Sequence, residues 1–170
     1  MFALLLCRAA GITPIITSSS DAKISEIQKQ YPGALCINYK THPDQTSEVQ
    51  RLTEGKGVDV IVNNAGVASL ISDISFLRAR GGVVSLVGFL AQDQAAWDPS
   101  ALMMLMGKQA KIKGIGVGSK VDFQNLNKFI EERKVKLQPL IDRVFKFDKS
   151  PEAFNYLDSG KHVGKIVIKL

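Results

Sequence analysis

Cysteine and histidine are scarce in this chain of 170 residues, at two apiece. Cys7 and Cys36 are too few for a disulfide framework, and with His42 and His162 they lack the spacing of a zinc site. Both cysteines sit in apolar runs and read as buried free thiols. No apolar stretch is long enough to span a membrane, and the N-terminal run Phe2 to Cys7 has no basic region before it of the kind a signal peptide carries. A cytoplasmic protein without a membrane partner is therefore the expectation. Neither GxGxxG nor GxxxxGK[ST] occurs, so the two common phosphate-loop signatures are missing. The glycines at 114, 116 and 118 have GxGxG spacing at a strand end and do not open a helix at once.

What is present fits one globular domain: 45% hydrophobic residues, with 22 Lys and Arg against 16 Asp and Glu. Charge is uneven, with 8 basic and 9 acidic side chains in residues 1–100 against 14 and 7 in 101–170. The lysines of the basic part are spaced between apolar positions as on solvated faces, so a nucleic-acid partner is not expected. Five short β-branched runs recur, Thr13 to Thr17, Ala34 to Asn38, Val58 to Val62, Gly82 to Gly88 and Ile112 to Val117. Their spacing leaves room for a helix between each pair, the pattern of βαβ units in a parallel sheet with helices on both faces. Continuous apolar character is what strands covered on both faces require.

Helical periods fill the intervals. Ser20 is a candidate cap before Ile24, Ile27 and Tyr31, with Pro32 and Gly33 as the stop. Val67, Leu70, Ile71, Ile74 and Leu77 form a second stripe, Phe123, Leu126 and Ile130 a third, and Thr46 to Glu54 a shorter fourth. Met103, Met104 and Met106 read as core or interface filler. From Lys136 an extended segment to Phe147 leads to Ser150 and Pro151, a favoured cap and first-turn pair, and then to a terminal strand from Ile166. The reading divides the chain into a truncated dinucleotide-type domain over 1–135 and a return segment over 136–170.

Open parallel sheets bind ligands at the carboxyl ends of their strands. After the first run come Ser18, Ser19, Ser20, Asp21, Ala22 and Lys23. An acid at a strand end accepts from a ribose 2′-hydroxyl, whereas hydroxyls and a cation suit a 2′-phosphate. Asp21 lies inside the first helical turn, which favours NADP over NAD. The alternative is that Ser20 or Asp21 only caps the helix and Lys23 is solvated.

The residues Ala9 to Gly11, Ile15 to Lys23, Ile37 to Lys40, Gly55 to Asp59, Arg80 to Gly88, Gly114 to Lys120, Ile141 to Phe147 and Gly160 to Ile168, in that order, resemble the medium-chain dehydrogenase/reductases of the zinc-type alcohol dehydrogenase and quinone oxidoreductase group. The resemblance implies an α/β, Rossmann-like parallel sheet entered after its first strand and glycine-rich loop, without the GroES-like catalytic domain or its zinc ligands. It further implies hydride transfer with a carbonyl, alcohol or activated alkene in the complete family, with the isolated chain expected to be inactive. Ser18, Ser19, Lys23 and Tyr39 would border the adenosine 2′-phosphate, Gly88 and Val117 the nicotinamide half, and Lys165 the pyrophosphate. Asn64, in a stretch that departs from the family pattern, is counted with these cofactor-binding candidates. A sheet order of 3-2-1-4-5-6 would leave a gap at its centre, and the uncovered apolar strip would favour a homo-oligomer.

That departing stretch, Asn63, Asn64, Ala65 and Gly66, looks like the NNAG motif of short-chain dehydrogenases. Their chemistry needs a Tyr with a Lys four residues on, and none of Tyr31, Tyr39 or Tyr156 has one. A short-chain enzyme and a non-catalytic nucleotide- or partner-binding remnant are the two rival readings. His42 and His162 read as solvated or structural, and Asp142 with Arg143 as a structural pair.

Overall fold

The computed structural model describes residues 1–90 and 98–170, in two compact units: residues 1–36 with 123–170, and residues 37–122. The return segment 136–170 thus lies in the same unit as the N-terminal residues.

In the first unit, α1 (Phe2–Ala9) precedes β1 (Ile15–Ser18) and α2 (Asp21–Gln30). The Ser20 hydroxyl accepts from the Lys23 amide at 3.4 Å, which caps α2 as the sequence predicts. Leu4 and Leu5 of α1 pack with Ile27, Tyr31, Ala34 and Leu140 into one core. Cys36 and Cys7 are half-buried rather than buried, and burial pushes the Cys36 thiol pKa up. A 3-10 turn over Gln138–Leu140 leads into β6 (Ile141–Lys146), which runs parallel to β7 (Lys165–Lys169) across α7 (Ser150–Asp158). Ser150 is helical, not a cap. A 3-10 turn over Phe147–Lys149 runs straight into α7, and Lys149 takes the cap position with no side-chain cap bond. On α6 (Lys120–Glu132) Ser119 and Asp122 bond reciprocally, the Asp122 amide donating to the Ser119 hydroxyl at 3.2 Å and the Ser119 amide to the Asp122 carboxylate at 2.8 Å. The expected apolar stripe of α6 is not buried, and Phe123 is 64% exposed.

The second unit holds a three-stranded parallel sheet in the order β3 (Val60–Asn63), β4 (Val83–Leu86), β5 (Lys111–Gly114). Its helices are α3 (Gln45–Leu52), α4 (Leu70–Phe76) and α5 (Ser100–Lys108). Asp44 caps α3 by accepting from the Ser47 amide at 3.0 Å. The core is Leu70, Ile74, Leu77, Val84 and Ala101, against which Ile61, Met104 and Ile112 pack. The sequence reading has no helix over 100–108, and α5 needed one: its run of Leu and Met is apolar all round and shows no period. Of the three methionines read as core or interface filler, Met104 packs on the core while Met103 and Met106 are exposed. The strands are also not all covered on both faces. Side chains alternate along β3, so Ile61 and Asn63 face the helices while Val60 and Val62 stay 59% and 50% exposed.

β1 and β2 (Leu35–Asn38) form a separate two-stranded sheet.

Candidate dinucleotide site

In the first unit the carboxyl end of β1 turns through Ser18, Ser19 and Ser20 into α2. The Ser20 amide donates to the Ser18 hydroxyl at 3.2 Å, so the turn is braced by its own side chains. The Lys23 ammonium lies one helical turn on and donates to the carbonyl of Gly160 at 2.5 Å, at the end of α7. Ser18 and Ser19 thus lie at the strand end, while the Lys23 ammonium is held to a backbone oxygen at the end of α7. Lys165 opens β7, and its charge is felt at the Met1 amine, whose pKa is lowered first by burial and then by Lys165.

In the second unit Asn64 and Gly88 meet, at the carboxyl ends of β3 and β4. The Leu90 amide donates to the Asn64 carbonyl at 2.8 Å, and a Cβ on Gly88 would lie 3.1 Å from that oxygen. A Cβ at position 88 would therefore press on the Asn64 carbonyl, which would have to give by a few tenths of an ångström. Tyr39 follows β2 and is 43% exposed, and Val117, beyond β5, is 92% exposed.

The sequence reading missed the group that shapes this end of the sheet. Asn63 and Asp73 are buried polar side chains, 3% and 8% exposed. The Asn63 amide nitrogen donates to the Gly66 carbonyl at 3.0 Å, to Asp73 Oδ2 at 2.5 Å and to the Ser69 hydroxyl at 3.1 Å, and its oxygen accepts from the Gly66 amide at 2.7 Å. The Ser69 hydroxyl donates to Asp73 Oδ2 at 3.1 Å. Burial raises the Asp73 pKa, against the smaller lowering by Ser69 and Asn63. The available signal was Asp73 itself, a charge one position before Ile74 on the apolar stripe of α4.

The remaining candidates fall away on geometry. Asp142 and Arg143 do not pair with each other. Asp142 accepts from the Tyr156 hydroxyl at 2.9 Å and from the Val163 amide at 3.1 Å, while the Arg143 guanidinium lies 4.1 Å from the centre of the Tyr156 ring. A register shift between Ile141 and Arg143 accompanies this arrangement. The bond to Asp142 raises the Tyr156 pKa, opposite to what a tyrosine base needs. His42 Nδ1 lies 3.0 Å from the Thr41 hydroxyl, and His162 packs edge-on against Tyr156. Among the described residues no group of three or more His, Cys, Asp or Glu could hold a metal, so these residues do not fit a zinc ion. No helix among them is long and apolar enough to cross a membrane.

Parallel strands joined by helices, with loops converging at the strand carboxyl ends, make this a Rossmann-like fold of the dehydrogenase type. The model of the zinc-binding dehydrogenases matches residues 33–168, and the chain belongs to that family. It is 34% identical over 170 residues to a zinc-type alcohol dehydrogenase-like protein of Schizosaccharomyces pombe, covering 99% of this chain and 48% of that one. An NAD-dependent alcohol dehydrogenase of Sulfurisphaera tokodaii is 25% identical over 166 residues, covering 98% and 46%. A crystal structure from Sinorhizobium meliloti assigned to the alcohol dehydrogenases superposes with a TM-score of 0.84 at 30% identity, over 99% of this chain and 47% of that one. The chain thus spans about half the length of the relatives it matches. These likenesses supply the medium-chain, zinc-type resemblance read from the sequence.

Proposed function

We propose that the chain is the dinucleotide-binding part of an alcohol dehydrogenase-like oxidoreductase, taking NADP in preference to NAD. The observation that carries the reading is the turn after β1. Ser18 and Ser19 stand at the carboxyl end of β1, Lys23 follows within the first turns of α2, and Asp21 sits in the first turn of α2 rather than at that strand end. Two hydroxyls and a cation complement a phosphate dianion, and the residues that directly follow β1, Ser19 and Ser20, offer no carboxylate to a 2′-hydroxyl. Lys23 would exchange its bond to the Gly160 carbonyl for a charge-assisted one. Tyr39 would flank the adenosine, Asn64, Gly88 and Val117 the nicotinamide half, and Lys165 the pyrophosphate. A bound nicotinamide supplies hydride exchange with a carbonyl, alcohol or activated alkene, and this chain's residues hold and orient it.

Titrating the full chain with NADPH and with NADH, followed by cofactor fluorescence, tests the reading. NADPH is expected to bind about tenfold tighter, and Lys23→Ala to remove that preference while leaving NADH affinity unchanged. Equal affinities in the wild type, or a preference that survives Lys23→Ala, would contradict the NADP assignment. The likeness to the NAD-dependent alcohol dehydrogenase of Sulfurisphaera tokodaii favours NAD as the second reading.

A further inference from the structure

The loop after β3 and the loop after β4 hang on one buried pair of side chains. Asn63 binds both backbone groups of Gly66, its oxygen taking the amide and its nitrogen the carbonyl, and so closes the turn Asn63–Asn64–Ala65–Gly66. An amide nitrogen has two hydrogens. One serves Gly66, which leaves the other for Asp73 Oδ2, with the Ser69 oxygen as a nearby second acceptor. The Asp73 carboxylate therefore fixes which way the Asn63 amide points. If that amide rotated by half a turn, its nitrogen would face the Gly66 amide and its oxygen the carboxylate, donor against donor and acceptor against acceptor. The closed turn sets the Asn64 carbonyl, which receives the Leu90 amide and touches the Gly88 backbone.

A buried carboxylate with no cation among its described partners is costly to keep. All of the bonds described for Asp73 go to Asn63 and Ser69, and both belong to this loop and the turn that follows it. We propose that Asp73 is a positioning residue: by orienting Asn63 it holds the 64–66 turn, and through that turn the Gly88–Leu90 backbone, in the shape a ligand meets at the carboxyl ends of β3 and β4. That the ligand is a dinucleotide rests on the reading above, whereas the hold on the two loops does not.

Amide hydrogen exchange on the full chain decides it, comparing Gly66 and Leu90 with the β4 amides of Val83–Leu86 in the wild type, Asp73→Leu and Ser69→Ala. Asp73→Leu is close in size but removes the oxygen that accepts from Asn63 and Ser69, and is expected to speed exchange at Gly66 and Leu90 by about tenfold or more with β4 unchanged. Ser69→Ala, which leaves the carboxylate in place, is expected to do the same more weakly, and it decides the matter if Asp73→Leu does not fold. Exchange at Gly66 and Leu90 equal to the wild type, or acceleration shared equally by β4, would overturn the proposal, the second because it marks a general loss of stability. In a parallel NADPH titration Asp73→Leu is expected to weaken binding by a similar factor. A wild type that binds neither NADPH nor NADH would overturn the functional reading alone, since the exchange comparison still judges the hold on the loops.

Discussion

At the scale of single residues, Gly66 and Asp73 carry the sharpest expectations. Gly66 has φ +96° and ψ −147°, a conformation open to glycine almost alone, and a Cβ there would lie 3.0 Å from the Phe89 ring and 3.3 Å from the Phe89 Cα. Gly66→Ala is expected to cost about 1–3 kcal/mol in urea unfolding, and an unchanged midpoint would contradict the described turn. Asp73 gives a pH signature. Its folded pKa lies above the ordinary carboxylate value, so its contribution to stability is complete below that value and is lost as pH rises through the folded pKa. Asp73→Asn removes this loss, so its stability relative to the wild type should climb from about pH 4 towards neutrality, on top of a constant offset from altered hydrogen bonds. A difference that stays flat across a pH series of urea melts would show that Asp73 is not buried as described. Sequence reading passed over the bond between Asn63 and Asp73 because a hydrogen bond between side chains ten positions apart leaves no period in a sequence. It reached Gly88 by resemblance and singled out Asn64 in the stretch that departs from the family pattern, and the contact between them needed coordinates.

At the scale of elements, the signals that worked were local ones. Ser20 ahead of Ile24 and Ile27 announced α2, because a cap and an apolar face are both written within one turn or two. Ser20→Ala should lower stability by about 1 kcal/mol, with an unaffected melt counting against the cap. The β-branched runs announced β1 to β5 to within a few residues. α5 was illegible since Ala101 to Met106 is apolar on every side, and a helix with no polar face has no period to find. What fixes α5 instead is tertiary. The Lys108 ammonium donates to the carbonyls of Ser75, at 3.1 Å, and of Leu77, satisfying the carboxyl end of α4. Lys108→Met keeps most of the stem and removes the donor, and it should destabilise the chain by about 1–2 kcal/mol in urea unfolding. The same loss caused by Lys128→Met, on an exposed side chain, would mean that general charge and not this cap is responsible.

At the scale of the whole molecule, alternation of strands and helices was legible in the sequence because parallel strands need long connections, and those connections set the spacing of the apolar runs. The grouping of strands came from the family resemblance, whose 3-2-1-4-5-6 order with a gap at its centre gives the neighbours found in the sheets β1–β2 and β3–β4–β5, while β6 and β7 form a third sheet. Each unit has its own core, one built around Leu4 and Ile27 and the other around Ile74 and Val84. The central claim, that this chain still holds a dinucleotide, is tested most directly by thermal unfolding of the full chain alone, with NADPH and with NADH. A ligand that binds only the folded state raises the midpoint by mass action, by several degrees at about a hundred times its dissociation constant. The account predicts a cooperative melt raised by NADPH more than by NADH, with the increment reduced in Lys23→Ala. A melt that neither cofactor moves would contradict it.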